Sequence, residues 1–169
     1  DVARAALKAA RRLGCPLLLH SCGQPALAAC WREVLGGGGE GCGGEGCGGG
    51  DATAARVVDG WLPLDRLLPR CVAALHHGGS GTVHAAARAA TPQLVLPLLF
   101  DQFAWADRVQ HCGIGARLAP RARDAAQAAV RVCTLEGRER CASVAAALQR
   151  DGGAESAARR LLAEIDAAG

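Results

Sequence analysis

One glycine-rich segment limits how this chain can fold. The run His76-His77-Gly78-Gly79-Ser80-Gly81-Thr82 follows the apolar residues 71–75 and precedes residues 83–90, which favour a helix. This order predicts a strand, a tight turn and a helix. Glycines let a ligand approach the backbone, and the first turn of a helix presents unpaired N–H groups that favour an anion. The segment therefore predicts a site for a phosphorylated ligand, although a plain turn with two surface histidines would also fit it.

The rest of the chain repeats this alternation of short apolar runs and helical patterns. Strands are predicted at 16–20, 56–59, 71–75, 94–96 and 116–118. Helices are predicted at 2–13, 24–35, 64–68, 82–90, 103–112, 121–135, 138–149 and 154–167. The alternation indicates an α/β fold, a Rossmann-like parallel sheet flanked by helices, with extra helices at the C-terminus. Ligands of such sheets bind beyond the carboxyl ends of the strands.

Length and composition fit a single domain over residues 1–169, with one unusual segment. Residues 36–50 contain eleven glycines, two glutamates and two cysteines. Ordering so many glycines is entropically unfavourable, so this segment is predicted to be a flexible insertion. No apolar run approaches the roughly 18–20 residues that would span a bilayer, and no signal peptide is recognisable. These features predict a cytoplasmic location.

Charge and cysteine content argue against two other classes of site. The net charge is +3, and the eighteen arginines and one lysine are scattered rather than clustered, so no nucleic-acid partner is predicted. Several of the nine cysteines lie inside apolar patterns, as Cys71, Cys133 and Cys141 do, and are predicted to be small buried thiols. A zinc site remains an alternative, but the candidate ligands include no CxxC pair, so no metal is predicted. Those candidates are Cys22, Cys30, Cys42, Cys47 and His20.

Four motifs in a fixed order resemble a known family. The first is Gly60-Trp61-Leu62-Pro63, and the second is the run 76–82. The third extends from Pro97 to Val109 and includes Asp101-Gln102, Trp105-Ala106 and Arg108-Val109. The fourth is Gly113-Ile114-Gly115. From about residue 57 onward, the chain resembles the donor-binding half of GT-B glycosyltransferases, most of all the branch with sterol glucosyltransferases and related bacterial enzymes. The resemblance implies a domain that lacks its first strand, with UDP-sugar as co-substrate and no metal or other cofactor.

The resemblance also implies a role for individual residues. The nucleotide base would lie near Val58 and Trp61, the sugar would contact Asp101 and Gln102, and the diphosphate would meet His76, Gly79, Ser80, Gly81 and Thr82. Taken from the residues alone, Trp61 could equally be a core side chain, and Asp101 could cap the following helix.

Some positions depart from the family pattern, and others have a simpler structural explanation. Leu64 replaces a glutamine of plant relatives, and His84 falls where those relatives place a ribose-binding glutamate. Packing is the simpler explanation for His77 and Trp105, and an ion pair is the simpler explanation for Arg108.

For the whole protein, the resemblance implies the transfer of glucose from UDP-glucose, with inversion, to a hydroxyl of a sterol or another lipophilic acceptor. The general base and the acceptor pocket would lie in a separate N-terminal domain, so the chain alone is expected to be inactive. Peripheral association with a membrane is a further expectation for the whole protein. Two alternatives stay open: a non-catalytic nucleotide-sugar-binding subunit that needs a partner chain, and a degenerate fragment.

Overall fold

The computed structural model describes residues 2–34 and 54–167. The strands are β1 Leu17–His20, β2 Ala55–Val58, β3 Ala74–His76, β4 Gln93–Val95 and β5 Gly115–Arg117. The helices are α1 Val2–Leu13, α2 Pro25–Val34, α3 Leu64–Leu67, α4 Ser80–Arg88, α5 Gln102–His111, α6 Ala125–Val132, α7 Leu135–Arg150 and α8 Gly153–Ala167. Short 3-10 helices cover Leu68–Arg70 and Pro120–Ala122. The predicted insertion at 36–50 lies outside the described residues.

All the strand pairs are parallel, as predicted, but the described strands form two hydrogen-bonded sheets. One contains β1 and β2, and the other has the order β3-β4-β5. Leu75 of β3 packs in a cluster with Ala3 and Ala6 of α1 and with Leu19 of β1. Helix α1 therefore covers residues of both sheets, and the predicted α/β class with flanking helices is confirmed.

The core lies on both faces of the second sheet because neighbouring side chains of β4 point in opposite directions. Leu94 and Leu96 pack in a cluster with small residues of α1 and α6. Val95 packs in a second cluster with Val83 of α4 and Val109 of α5. Much of the first cluster is alanine, which lets helices approach the sheet closely. Both faces are covered, as is typical of parallel sheets.

The element boundaries shift at two places that matter for the site. The third strand occupies Ala74–His76 rather than 71–75, so His76 is its last residue instead of the first residue of the turn. Helix α4 begins at Ser80 rather than at position 82, which places Ser80, Gly81 and Thr82 in its first turn. The register aligns His20 with Val58 and His76 with Val95, so the predicted motifs do lie at the carboxyl ends of parallel strands.

The predicted helix at 121–135 is shorter at both ends in the structure, where α6 covers Ala125–Val132. Arg121, inside the short 3-10 helix Pro120–Ala122, has a φ of 63°, a non-helical conformation that interrupts the helical path before α6 begins. The Asp124 carboxylate accepts a hydrogen bond from the backbone N–H of Ala119, at 3.0 Å, and holds this bend. Thr134 then caps α7 by accepting from the N–H of Gly137 at 3.1 Å. These local side-chain hydrogen bonds accompany the shorter α6 and the earlier start of α7, which begins at Leu135 rather than at the predicted position 138.

Candidate functional site

The segment 76–82, which we call the glycine turn, lies directly against the start of α5. Gly78 has a φ of +95°, a conformation that side chains other than glycine rarely adopt. A Cβ at this position would lie 2.8 Å from Cγ1 of Val95 and 3.2 Å from the carbonyl oxygen of Gln102. Only glycine fits there, and the close approach brings the glycine turn beside the predicted sugar-binding residues.

Helix α4 starts with an open first turn. Gly79 is its N-cap residue, no side chain caps the helix, and the N–H of Val83 bonds to the carbonyl of Gly79 at 3.0 Å. The preceding N–H groups of an α-helix have no partner within the helix. A Cβ at Gly81 would meet no atom within 4 Å, so the turn is open on the side of Gly81. The predicted residues Gly79, Ser80, Gly81 and Thr82 thus form one potential anion site.

His76 is the last residue of β3, and two hydrogen bonds hold its ring. Its Nδ1 accepts a hydrogen bond from the N–H of Gly78 at 3.1 Å, so the ring proton lies on Nε2, which donates to Oε1 of Gln93 at 3.0 Å. Burial is the main cause that lowers the pKa of His76 to about 4. His76 is a neutral ring that braces the glycine turn, and phosphate contact by its side chain stays a prediction.

Gln93, directly before the predicted strand at 94–96, is a residue of the site that the sequence analysis does not identify. Its side chain is completely buried at the start of β4, and its Nε2 atom has no hydrogen-bond partner in the described structure. A polar residue at the first position of a strand with both faces covered was the available signal. Gln93 fixes the His76 ring from 17 positions away in the chain.

His77 has a different environment from its neighbour. It is exposed, and its Nε2 atom is 2.7 Å from the position that a Cβ of Gly79 would take. The ring therefore lies over the N-cap of α4 rather than beside the strand, where packing was the simpler expectation.

The residues 98–102, which we call the α5 loop, carry the predicted sugar-binding pair. The side-chain oxygen of Gln102 accepts from the N–H groups of Leu98 and Leu99, at 2.9 and 3.0 Å. Only its amide NH₂ is left for a ligand, as a donor. Asp101 is the N-cap residue of α5, as expected, but its side chain makes no capping hydrogen bond. Its Oδ2 accepts instead from the indole Nε1 of Trp105 at 3.1 Å.

Arg108 also differs from its simpler interpretation. Among residues 2–34 and 54–167, no ion pair is found for it, and the neighbouring Asp107 pairs with Arg117 at 2.7 Å.

The third group of predicted residues lies at the ends of β1 and β2, and we call it the Trp61 corner (residues 20, 21, 32 and 58–61). Trp61 is 84% exposed, so it is not a core side chain and its ring is free to stack. Asp59 accepts hydrogen bonds from the hydroxyl of Ser21 and from Arg32, the latter at 2.6 Å. These two contacts, the Ser21 bond first, lower the pKa of Asp59. Val58 precedes this corner as the last residue of β2.

A groove of about 430 Å³ runs from the glycine turn towards the segment that follows the Trp61 corner. Asp65 of α3 lies on one side, and Gly81, His84 and Arg88 of α4 lie on the other. A larger hollow of about 620 Å³ lies along α5 and contains none of the predicted site residues. We regard the smaller groove as relevant because it adjoins the open first turn of α4.

The cysteines in the described part of the chain are free thiols. Cys141 is buried, Cys22 and Cys30 are exposed, and Cys15, Cys71, Cys112 and Cys133 are partly buried. In the same part of the chain, no group of at least three His, Cys, Asp or Glu side chains could hold a metal ion. Cys42 and Cys47 of the zinc alternative lie outside the described residues. No helix within residues 2–34 and 54–167 is long and apolar enough to cross a membrane.

Curated relatives include glycosyltransferases of two kinds. The chain is 40% identical over 99 residues to a vancomycin aglycone glucosyltransferase of Amycolatopsis orientalis, covering 57% of this chain and 24% of the relative. It is 48% identical over 59 residues to a sterol 3-beta-glucosyltransferase of Candida albicans, covering 35% of this chain and 4% of the relative. The chain thus matches only a small part of the length of either relative.

A solved structure shares the fold. The crystal structure of LpCGTa in complex with UDP matches 98% of this chain and 38% of its own, with a TM-score of 0.64 at 17% sequence identity. Residues 52–166 match the family described as "Erythromycin biosynthesis protein CIII-like, C-terminal domain". The chain therefore belongs to this family of C-terminal domains of GT-B glycosyltransferases.

Proposed function

We propose that this chain binds the nucleotide-sugar donor of a glycosyltransferase, and that the donor is a UDP-hexose with glucose as the hexose. The observation that carries the proposal is the uncapped first turn of α4, which Gly78 holds against the α5 loop. The turn suits a diphosphate, because its N–H groups and the positive end of the helix dipole both favour an anion. The α5 loop beside it offers a carboxylate acceptor and an amide donor, which suit sugar hydroxyls.

The base and the ribose would extend from the glycine turn along the groove towards the Trp61 corner. The exposed ring of Trp61 is available for stacking. Two further facts support a UDP donor and glucose: LpCGTa, which shares this fold, was crystallised in complex with UDP, and both relatives described above are named glucosyltransferases.

In the reaction that we propose for the whole protein, an acceptor hydroxyl attacks the anomeric carbon and UDP departs. The new C–O bond forms as the bond to the diphosphate breaks, which gives inversion, and the hydroxyl proton goes to a general base. The first turn of α4 would stabilise the charge that develops on the departing UDP. We assign the base to a separate acceptor-binding region, as the resemblance implies.

A sterol or another lipophilic alcohol is the acceptor that we propose. The α5 loop supports this choice, because Leu98, Leu99 and Phe100 are 61%, 58% and 88% exposed directly beside Asp101. An exposed apolar tip at the sugar end suits an apolar acceptor better than a polar one.

Calorimetry with UDP, UDP-glucose and free glucose tests the donor site. UDP should keep most of the affinity of UDP-glucose, since charge-assisted contacts to phosphate are the stronger ones, and free glucose should not bind. Asp101→Ala should weaken UDP-glucose about tenfold or more and leave UDP nearly unchanged. Asp107→Ala, on the helix that follows the α5 loop, is the matched control and should change neither affinity. No binding of UDP to the chain, or equal losses for both nucleotides in Asp101→Ala, would contradict the proposal.

A further inference from the structure

We propose that Trp105 and His84 act as positioning residues, which hold the Asp101 carboxylate in a fixed place relative to the first turn of α4. The inference rests on the proposed function, because it assigns Asp101 to the sugar of the donor. It goes beyond the sequence interpretation, in which Trp105 was a packing residue and His84 a surface residue.

The first step is the hydrogen bond between Trp105 and Asp101. The indole N–H can only donate, and it donates to Oδ2 of Asp101 at 3.1 Å. Asp101 is exposed, so without this bond its side chain would be free to change rotamer. One carboxylate oxygen is thus used to fix the group, while Oδ1 remains available to accept from a sugar hydroxyl.

The second step is the contact that fixes the indole itself. His84 of α4 lies edge-on to Trp105, with the ring centroids 4.9 Å apart and the planes at 74°, a geometry that aromatic pairs favour. Nδ1 of His84 donates to the carbonyl oxygen of Ser80 at 2.7 Å, which fixes the orientation of the imidazole. The other side of Trp105 packs on the buried cluster that includes Val83, Ala106 and Val109.

These contacts form a continuous path between the two halves of the proposed site. It runs from Ser80, in the first turn of α4, through the two rings to the carboxylate of Asp101. A donor whose diphosphate lies on that turn would therefore find the sugar-facing carboxylate at a set distance. Preorganisation of this kind raises affinity because less side-chain freedom is lost on binding.

The test compares UDP and UDP-glucose by calorimetry on the chain and on Trp105→Phe, which removes the indole N–H but retains an aromatic ring beside His84. The affinity for UDP-glucose should fall about three- to tenfold, while the affinity for UDP should not change. Trp31→Phe is the matched control, since Trp31 is the other partly buried tryptophan and packs in the cluster with Leu19. His84→Ala should give a smaller loss in the same direction.

The outcomes separate this inference from the proposed function. If neither UDP nor UDP-glucose binds to the unaltered chain, both fail. If Asp101→Ala removes the preference for UDP-glucose but Trp105→Phe does not reduce it, the positioning role alone is wrong. Equal losses for UDP and UDP-glucose in Trp105→Phe would show that the ring merely supports the fold.

A second measurement does not depend on a Trp105 variant that folds. In NMR spectra of the chain, Asp101→Ala should accelerate solvent exchange of the Trp105 indole N–H severalfold and leave the Trp31 indole unchanged. An unchanged exchange rate at Trp105 would overturn the proposed hydrogen bond.

Discussion

The glycine turn and the Trp61 corner both lie at the carboxyl ends of parallel strands, but they are held in place by different forces. The glycine turn is fixed by a partly buried, hydrogen-bonded ring and by close backbone contact, at His76 and Gly78. In the Trp61 corner, Asp59 pairs with Arg32, and their side chains are 47% and 52% exposed. Hydrogen bonds between neutral groups and packing contacts depend little on ionic strength, whereas exposed ion pairs contribute little and are screened by salt. We therefore expect the glycine turn to keep its shape without a ligand, and the corner to respond to solution conditions.

The largest effect is expected from Gly78→Ala, which disrupts the close contact of the glycine turn with Val95 and Gln102. The alanine would have to adopt a φ of +95°, and its methyl group would lie 2.8 Å from the Val95 side chain. Such strain and overpacking should lower the free energy of unfolding by about 2–4 kcal/mol and abolish UDP binding. Urea titration and calorimetry measure the two effects.

Gly81→Ala is the matched control for that variant. Its Cβ would meet nothing within 4 Å, and alanine is the better helix former, so stability should rise by up to about 1 kcal/mol. If both variants were equally stable, the contact between the glycine turn and the α5 loop would not be the rigid one described above.

The second prediction concerns pH and separates the two regions. Because the pKa of His76 is lowered to about 4 in the fold, the unfolded chain takes up a proton first as the pH falls. The contribution of the neutral ring is fully present above pH about 6.5 and is lost as the pH falls towards 4, by at most about 3 kcal/mol. Urea titrations across this range should show the loss, and His76→Asn should make it smaller. His111→Asn, which removes an exposed histidine of α5, should keep the original pH dependence.

Asp59 in the Trp61 corner should respond in a different pH range. Its pKa is lowered from 3.8, so its contribution is present above that value and is lost only as the pH falls below it. If the loss of stability between pH 6.5 and 4 persisted in full in His76→Asn, the lowered pKa of His76 would not be its cause.

The sequence was sufficient to predict which segments come together at the site, but not the hydrogen bonds between their side chains. Once the alternation indicated parallel strands, the ends of β3 and β4 had to meet at one edge, which placed the glycine turn near Asp101. Helix α1 was predicted with its observed bounds, because a regular amphipathic pattern ends at Gly14. Patterns of this kind depend on neighbours in the chain, and a single sequence displays them directly.

The contacts that decide the chemistry depend instead on residues that are distant in the chain or on the choice between two local partners. The orientation of the His76 ring depends on Gln93, which no motif connects to it. The carboxylate of Asp101, at the N-cap position of α5, could have capped the helix, but it accepts from Trp105 instead. Side-chain packing selects between such alternatives, and the pattern of residue types in the sequence does not show how side chains pack.

The smallest effect is expected from Arg32→Ala in the Trp61 corner. Asp59 loses the partner at 2.6 Å but keeps the hydrogen bond from the buried Ser21 hydroxyl, so the loop before Trp61 should loosen only slightly. We expect Tm to fall by no more than about 2 °C, and UDP affinity to fall about twofold at low salt. Both differences should disappear near 0.5 M salt, where the Debye length is roughly 4 Å. Arg159→Ala, which removes another exposed ion pair, within α8, is the control and should not change UDP binding. A large loss that salt does not reduce would mean that the Trp61 corner is braced as firmly as the glycine turn, and the contrast between the two regions would not hold.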